Sequence, residues 1–180
     1  MDKYDKYCND LLEEAKRFLE IAKTKSENYQ MPYLHASILI SISSLESFVY
    51  GISDDFKDSR ALTMHEIAFL SEKEILFENG KFQISNKLKM NRLIERIEFI
   101  FQRFKQDSLN KNNQWWSQLN EGIRIRNSIV HPKECVSLTY DNVSNTLKAI
   151  IQCINELFLV VYKRKFPKFK LGLNSKLNFE

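Results

Sequence analysis

Only four glycines and three prolines are spread over 180 residues, and that scarcity is the strongest constraint on what the chain folds into. A sandwich or barrel of many strands needs turn residues every few positions, whereas long helices do not. Residues 5–25 place Leu11, Leu12, Ala15, Phe18, Leu19 and Ala22 at helical spacing, with Glu13, Glu14, Lys16, Arg17 and Glu20 on the wet side. After a loop at 28–31, Pro32 suits a helix's first turn, and YLHASILISISSLESFVYG runs on to Gly51 as its C-cap. This second helix is apolar nearly all round, which places it at the centre. Its Ser37, Ser41, Ser43, Ser44 and Ser47 are small enough for neighbours to approach while each hydroxyl bonds back into its own helix.

Farther along, residues 53–60 read as a polar turn, ALTMHEIAFLSEKEIL holds a short helix, and Asn79-Gly80 between alternating runs predicts a hairpin over 75–84. A third long helix is expected over 86–104, with Leu88, Leu93, Ile94, Ile97, Ile100, Phe101 and Phe104 apolar and Arg92, Glu95, Arg96, Glu98 and Arg103 solvated. The linker 106–113 leads to a helix that Pro132 stops at or just after His131. Thr139 or Asp141 caps a last helix from Asn142 to about Lys165. The fold expected is all-α: a four- to five-helix up-and-down bundle with a short extra helix and a small β-hairpin insertion. Residues 1–165 form one helical domain, and 166–180 are a basic C-terminal tail expected to be solvated and flexible.

Cys8, Cys135 and Cys153 form no CxxC pair and no mixed Cys/His zinc spacing, so they read as reduced thiols. No run approaches the ~18–20 uninterrupted apolar residues of a membrane span, and MDKYDKYCNDLLEEAKR lacks the apolar region of a signal peptide. The expectation is a cytoplasmic chain with no membrane partner. The net charge of +4 is uneven: Lys163, Arg164, Lys165, Lys168, Lys170 and Lys176 face Glu180 alone, so residues 163–180 carry +5 and the rest −1. A polyanion contact is therefore local. The tail interleaves its lysines with Phe166 and Phe169, a pattern that suits RNA or an acidic protein. Lys133, Lys163, Arg164 and Lys165 are the candidate RNA contacts.

Chemistry concentrates in RIRNSIVHP, residues 124–132. Asn127 and His131 are four apart and share a helix face, and the long stem of Arg126 reaches round the last turn toward the imidazole. A guanidinium offers fixed donors to phosphate oxygens, an amide orients a substrate atom, and an imidazole moves a proton near neutral pH. Together they suit a phosphodiester. No Asp/Glu cluster stands nearby to hold a hard metal, so no metal or other cofactor is expected. The reaction that fits is RNA cleavage by 2′-hydroxyl attack, with His131 moving protons and Arg126 stabilising the transition state. DNA lacks that hydroxyl. Arg124 reads as a supporting charge. Glu46, the only charge of the central helix, calls for an arginine of the motif helix as its partner, whether Arg126 or Arg124, or else sits at the helix surface. His35 and His65 are isolated, and Trp115 and Trp116 read as structural.

At these residues the chain resembles the HEPN superfamily, whose motif is Arg, often followed by Asn, Asp or His, then His after four to six intervening residues. Arg126, Asn127 and His131 match it, HP ends the penultimate long helix, and SISSLESFVYG looks like the small-residue helix such proteins set against the motif. The resemblance implies a homodimer whose two motifs face one cleft as a composite ribonuclease site. It also implies a toxin or effector role in bacterial toxin–antitoxin or phage-defence systems, with an antitoxin or defence protein as partner. Other members are inactive dimerisation or nucleotide- and RNA-binding modules. One subgroup is silenced at a tyrosine two positions after the histidine; Lys133 stands there, so that inhibition is not carried over.

Overall fold

The computed structural model describes residues 3–56, 62–105 and 109–177. In chain order they form α1 (Lys3–Thr24), α2 (Glu27–Asp55), α3 (Met64–Leu70), β1 (Lys73–Glu78), β2 (Lys81–Leu88), α4 (Leu93–Lys105), α5 (Gln114–Val130), α6 (Tyr140–Tyr162) and a 3-10 turn (Phe169–Leu171). The fold is an all-α bundle with a hairpin insertion, as expected. Residues 57–60 of the expected polar turn and 106–108 of the expected linker lie outside the described residues.

α2 is the central element, packed on α1, α4, α5 and α6. Its Ile38, Ile42, Leu45 and Val49 are fully buried, as are Val143, Leu147, Ile150, Ile154 and Leu157 of α6. Length and composition alone would let α2 cross a membrane, but this packing accounts for its apolarity. The helix is longer than the loop at 28–31 and the Gly51 cap predicted: it starts after Ser26 and runs through Pro32 and Gly51. Pro32 sits in the second turn, where the missing N–H removes a single hydrogen bond. Gly51 lies inside the helix and is not its cap, and a Cβ there would meet the Tyr4 ring at an ordinary contact distance of 3.4 Å.

The serines of α2 also do more than bond back. Ser41, Ser43, Ser47 and Ser53 donate within the helix, but Ser37 Oγ donates to the Ala15 carbonyl of α1 at 2.8 Å and Ser44 Oγ to that of Cys8 at 3.1 Å. Small side chains bring the two helices near enough for a hydroxyl to span them.

Thr63 opens α3 with a capping box to Glu66, and Thr139 opens α6 with one to Asn142. Asn79 and Gly80 both take positive φ, the turn that joins β1 to β2. β2 continues to Leu88, so α4 begins at Leu93 and not near Asn86. The hairpin is tied down at its base. The Lys89 amide donates to the Glu72 carbonyl at 2.8 Å, and the Glu72 carboxylate accepts from the Asn91 amide and from Arg96. Arg96, expected in water, is therefore 3% exposed and paired with Glu72.

After α5, residues 131–139 form neither helix nor strand, with bends at 131, 133 and 134. α6 then begins beside the first half of α5, where Ser117 and Glu121 share a surface hollow with Asn142 and Asn145. α6 stops at Tyr162, with Lys163 left-handed at its end. The tail expected to be solvated instead packs on the bundle. Phe166 is 3% exposed and meets Phe48 and Phe158. The Lys176 amide donates to Glu13 Oε2 at 2.7 Å and the Ser175 amide to Glu20 Oε1 at 2.8 Å. Beneath it Lys16, expected on the wet side of α1, is fully buried and bonded to Glu13 at 3.1 Å. The wet side of α1 is wet only where the tail does not cover it.

Candidate active site

α5 turns Trp116, Leu119, Gly122 and Ile125 into the core. Gly122 is required by the closeness of α6, since a Cβ there would fall 2.1 Å from Thr146 Cγ2. One turn later the side chains leave the core, and the motif begins. Arg126 Nη2 donates to Glu46 Oε1 of α2, and Nη1 donates to Asn127 Oδ1 at 3.1 Å. Glu46 thus finds the partner its position called for. Its side chain keeps 41% of its surface and that of Arg126 24%, so the pair stands at the wall of an open cavity.

That cavity has a volume of about 640 Å³ and lies between α4 and α5, with Asn91, Asn120, Ile123 and Asn127 also on its wall. The helix ends with His131, whose N–H donates to the Asn127 carbonyl at 2.9 Å, and Pro132, lacking an N–H, stops the ladder. The His131 imidazole is exposed, with no hydrogen-bond partner among the described residues. Arg126 therefore turns to Glu46 and Asn127 instead of round the last turn to His131. Glu46, Arg126 and Asn127 form one bonded group, and His131 follows one turn on.

The other expected residues go elsewhere. Arg124 grips Glu121 with Nε and Nη2 at 2.8 and 2.6 Å, which holds its guanidinium above and the Glu121 carboxyl below their ordinary ranges. It does not reach Glu46. Lys133 is exposed beyond Pro132. Lys163 Nζ donates to the Val160 carbonyl at 2.8 Å, Arg164 lies over the Tyr162 ring at 5.8 Å, and Lys165 is exposed. Arg164 lines a different cavity, of about 460 Å³, with Asp5, Asp55, Tyr162 and Phe166, so the tail cations do not join Arg126. Among the described residues no group of three or more His, Cys, Asp or Glu side chains could hold a metal ion.

Arg96 was missed as a neighbour of the site. Burial pulls its guanidinium below the ordinary range, with the charges of Glu72 and then Glu46 acting the other way. The signal was present: Arg96 falls three after Leu93 and four before Ile100, on the apolar stripe itself.

An all-α bundle with Arg, Asn and His ending the penultimate helix against the small-residue central helix is the arrangement of a HEPN domain. The family model described as RiboL-PSP-HEPN matches residues 3–163, and the chain belongs to that HEPN family. Membership sets it in a superfamily of nuclease and RNA-binding domains, compatible with dimerisation. No curated protein and no solved structure matches the chain.

Proposed function

We propose that this chain is a metal-independent endoribonuclease, active as a homodimer in the cytoplasm and serving as a toxin or effector in bacterial defence. The observation that carries the reading is Arg126, set by Asn127 and Glu46 on the wall of an open cavity one turn before His131, whose imidazole has no hydrogen-bond partner among the described residues. The substrate 2′-oxygen attacks the adjacent phosphorus and the 5′-oxygen leaves, giving a 2′,3′-cyclic phosphate and a 5′-hydroxyl. Arg126 neutralises charge on the phosphoryl oxygens. His131 transfers the proton lost by the 2′-hydroxyl toward the leaving oxygen. A dimer apposing two α5 ends would offer two such pairs to one strand, and Lys133 beside each would meet flanking phosphates.

A second reading, a HEPN module that binds RNA or a defence partner without cutting, is favoured by one observation. Each terminal nitrogen of Arg126 already gives an N–H to a protein acceptor. The deciding experiment is cleavage of end-labelled tRNA and messenger RNA in EDTA by the wild type, Arg126→Ala and His131→Ala, each verified as folded. Cleavage that leaves cyclic phosphate ends, is lost in both variants and is absent on a 2′-deoxy strand is the expected result. A folded dimer that retains RNA without cutting it establishes the module instead.

A further inference from the structure

Arg96, on the first turn of α4, commits one terminal nitrogen: Nη1 donates to Glu72 Oε2 at 2.8 Å. Its Nε and Nη2 are buried with no acceptor among the described residues. These two N–H groups point the same way from the guanidinium plane and form the edge that grips a carboxylate with two parallel bonds. The chain uses that edge elsewhere, where Arg124 holds Glu121 by Nε and Nη2. A buried donor edge without an acceptor is costly. Besides Glu72, the one carboxylate on the wall of the cavity that Arg96 lines is Glu46. Glu46 and Arg96 line one cavity of about 340 Å³ between α1, α2 and α4, with Tyr4, Ser47 and Tyr50, and Glu46 is also on the wall of the larger cavity that holds Arg126. Its carboxylate is part-exposed and its charge is felt at Arg96. Glu46 thus shares a cavity wall with each of two arginines and is bonded to one of them.

We propose that Glu46 is a shared carboxylate with two seats, Arg126 in the resting chain and the vacant Nε/Nη2 edge of Arg96 once Arg126 takes a phosphate, so that Arg96 is a positioning residue for Arg126. The second half of this statement rests on the ribonuclease reading. A phosphate that approached Arg126 with Glu46 still in place would meet a carboxylate of its own sign at hydrogen-bond distance from the same guanidinium. Moving Glu46 to Arg96 removes that repulsion, supplies an acceptor to two buried donors that have none among the described residues, and shifts no proton. It also frees Nη2 of a guanidinium that otherwise gives one N–H from each terminal nitrogen to protein acceptors.

Arg126→Ala tests the second seat without RNA, because it strips Glu46 of its resting partner. The crystal structure of this variant is expected to show both Glu46 oxygens within hydrogen-bond distance of Arg96 Nε and Nη2. Its ¹⁵N spectrum is expected to show the Arg96 Nε–H moved downfield and exchanging more slowly than in the wild type. A Glu46 left in solvent, with the Arg96 edge unchanged, overturns the proposal. The functional arm is a double-mutant cycle on RNA cleavage. Arg96→Met is expected to lower kcat/KM several-fold beside Glu46 and to have no further effect in Glu46→Gln, with Arg96→Lys between. An equal loss in both backgrounds makes Arg96 merely structural and overturns its positioning role. Failure of the folded wild type to cut RNA overturns the ribonuclease reading, while Arg126→Ala still decides whether Glu46 has a second seat.

Discussion

Gly122→Ala is the substitution whose cost the packing of α5 on α6 fixes most directly. The added Cβ would lie 2.1 Å from Thr146 Cγ2, 2.6 Å from Oγ1 and 2.9 Å from Cβ. Ordinary contact begins near 3.4 Å, so α5 and α6 must part by about an ångström or Thr146 must turn. Turning does not suffice, because the Thr146 Cβ is fixed by its own backbone. It would also disturb the hydrogen bond from Thr146 Oγ1 to the Asn142 carbonyl at 2.9 Å. Overpacking of this kind costs about 1–3 kcal/mol. A disturbed hydrogen bond adds about 1 kcal/mol, and the better helix propensity of alanine returns about 1 kcal/mol. The net destabilisation is about 2 kcal/mol, which for a chain of this size lowers Tm by about 4–8 °C. Thermal and urea unfolding followed by circular dichroism at 222 nm read this directly. Thr146→Ala removes the two nearest atoms, so Gly122→Ala should cost distinctly less in that background than alone. A Gly122→Ala chain as stable as the wild type, or a penalty unchanged by Thr146→Ala, refutes the reasoning.

Two further outcomes follow from burial. Phe166→Ala removes a ring packed between Phe48 and Phe158 and should destabilise the chain by about 3 kcal/mol in urea unfolding; a silent substitution would mean that the tail does not pack. In native protein, thiol labelling should modify the exposed Cys135 alone, with buried Cys8 and Cys153 reacting only on unfolding. Burial also pushes the Cys8 thiol up from its ordinary 9.0 to about 11, so the folded chain keeps a proton that the unfolded chain releases first. Stability from this source is complete below pH 9 and is lost as pH rises through 9 to 11. The slope over that window should be shallower in Cys8→Ala.

Elements of the bundle were legible wherever one local rule decided them. Helical period marked α1 and α6, Asn79-Gly80 marked the hairpin, and Pro132 marked the end of α5. Errors arose where a partner distant in sequence changed what a residue faces. Lys16 and Glu13 look solvated on α1 until residues 168–176 cover them. Arg96 looks like a surface charge until Glu72, delivered by the hairpin, meets it. Ser37 and Ser44 look self-satisfied until α1 comes within reach. At the site, Glu46 and Arg126 could be paired because a lone acid in an apolar helix demands a cation. The local pairing of Arg124 with Glu121 could have been anticipated, since the two are three apart on one helix.

The state of Arg126 depends on a distance that neither α2 nor α5 sets alone. Glu46 and Arg126 are 80 residues apart. α2 is located by its serines on α1, and α5 by the absence of a side chain at Gly122 against Thr146. α4 brings Arg96 to a cavity that Glu46 also lines. A change that parts α5 from α6 should therefore loosen Arg126 from Glu46 while leaving Arg96 where it is. If Glu46 is shared between the two arginines, Gly122→Ala should favour its seat on Arg96 and free Arg126 even as it lowers stability. Retained or raised RNA cleavage in a less stable chain would follow. Activity that falls in step with stability would mean that α5 must be rigid for the site to form, and that the resting ion pair is part of the working geometry.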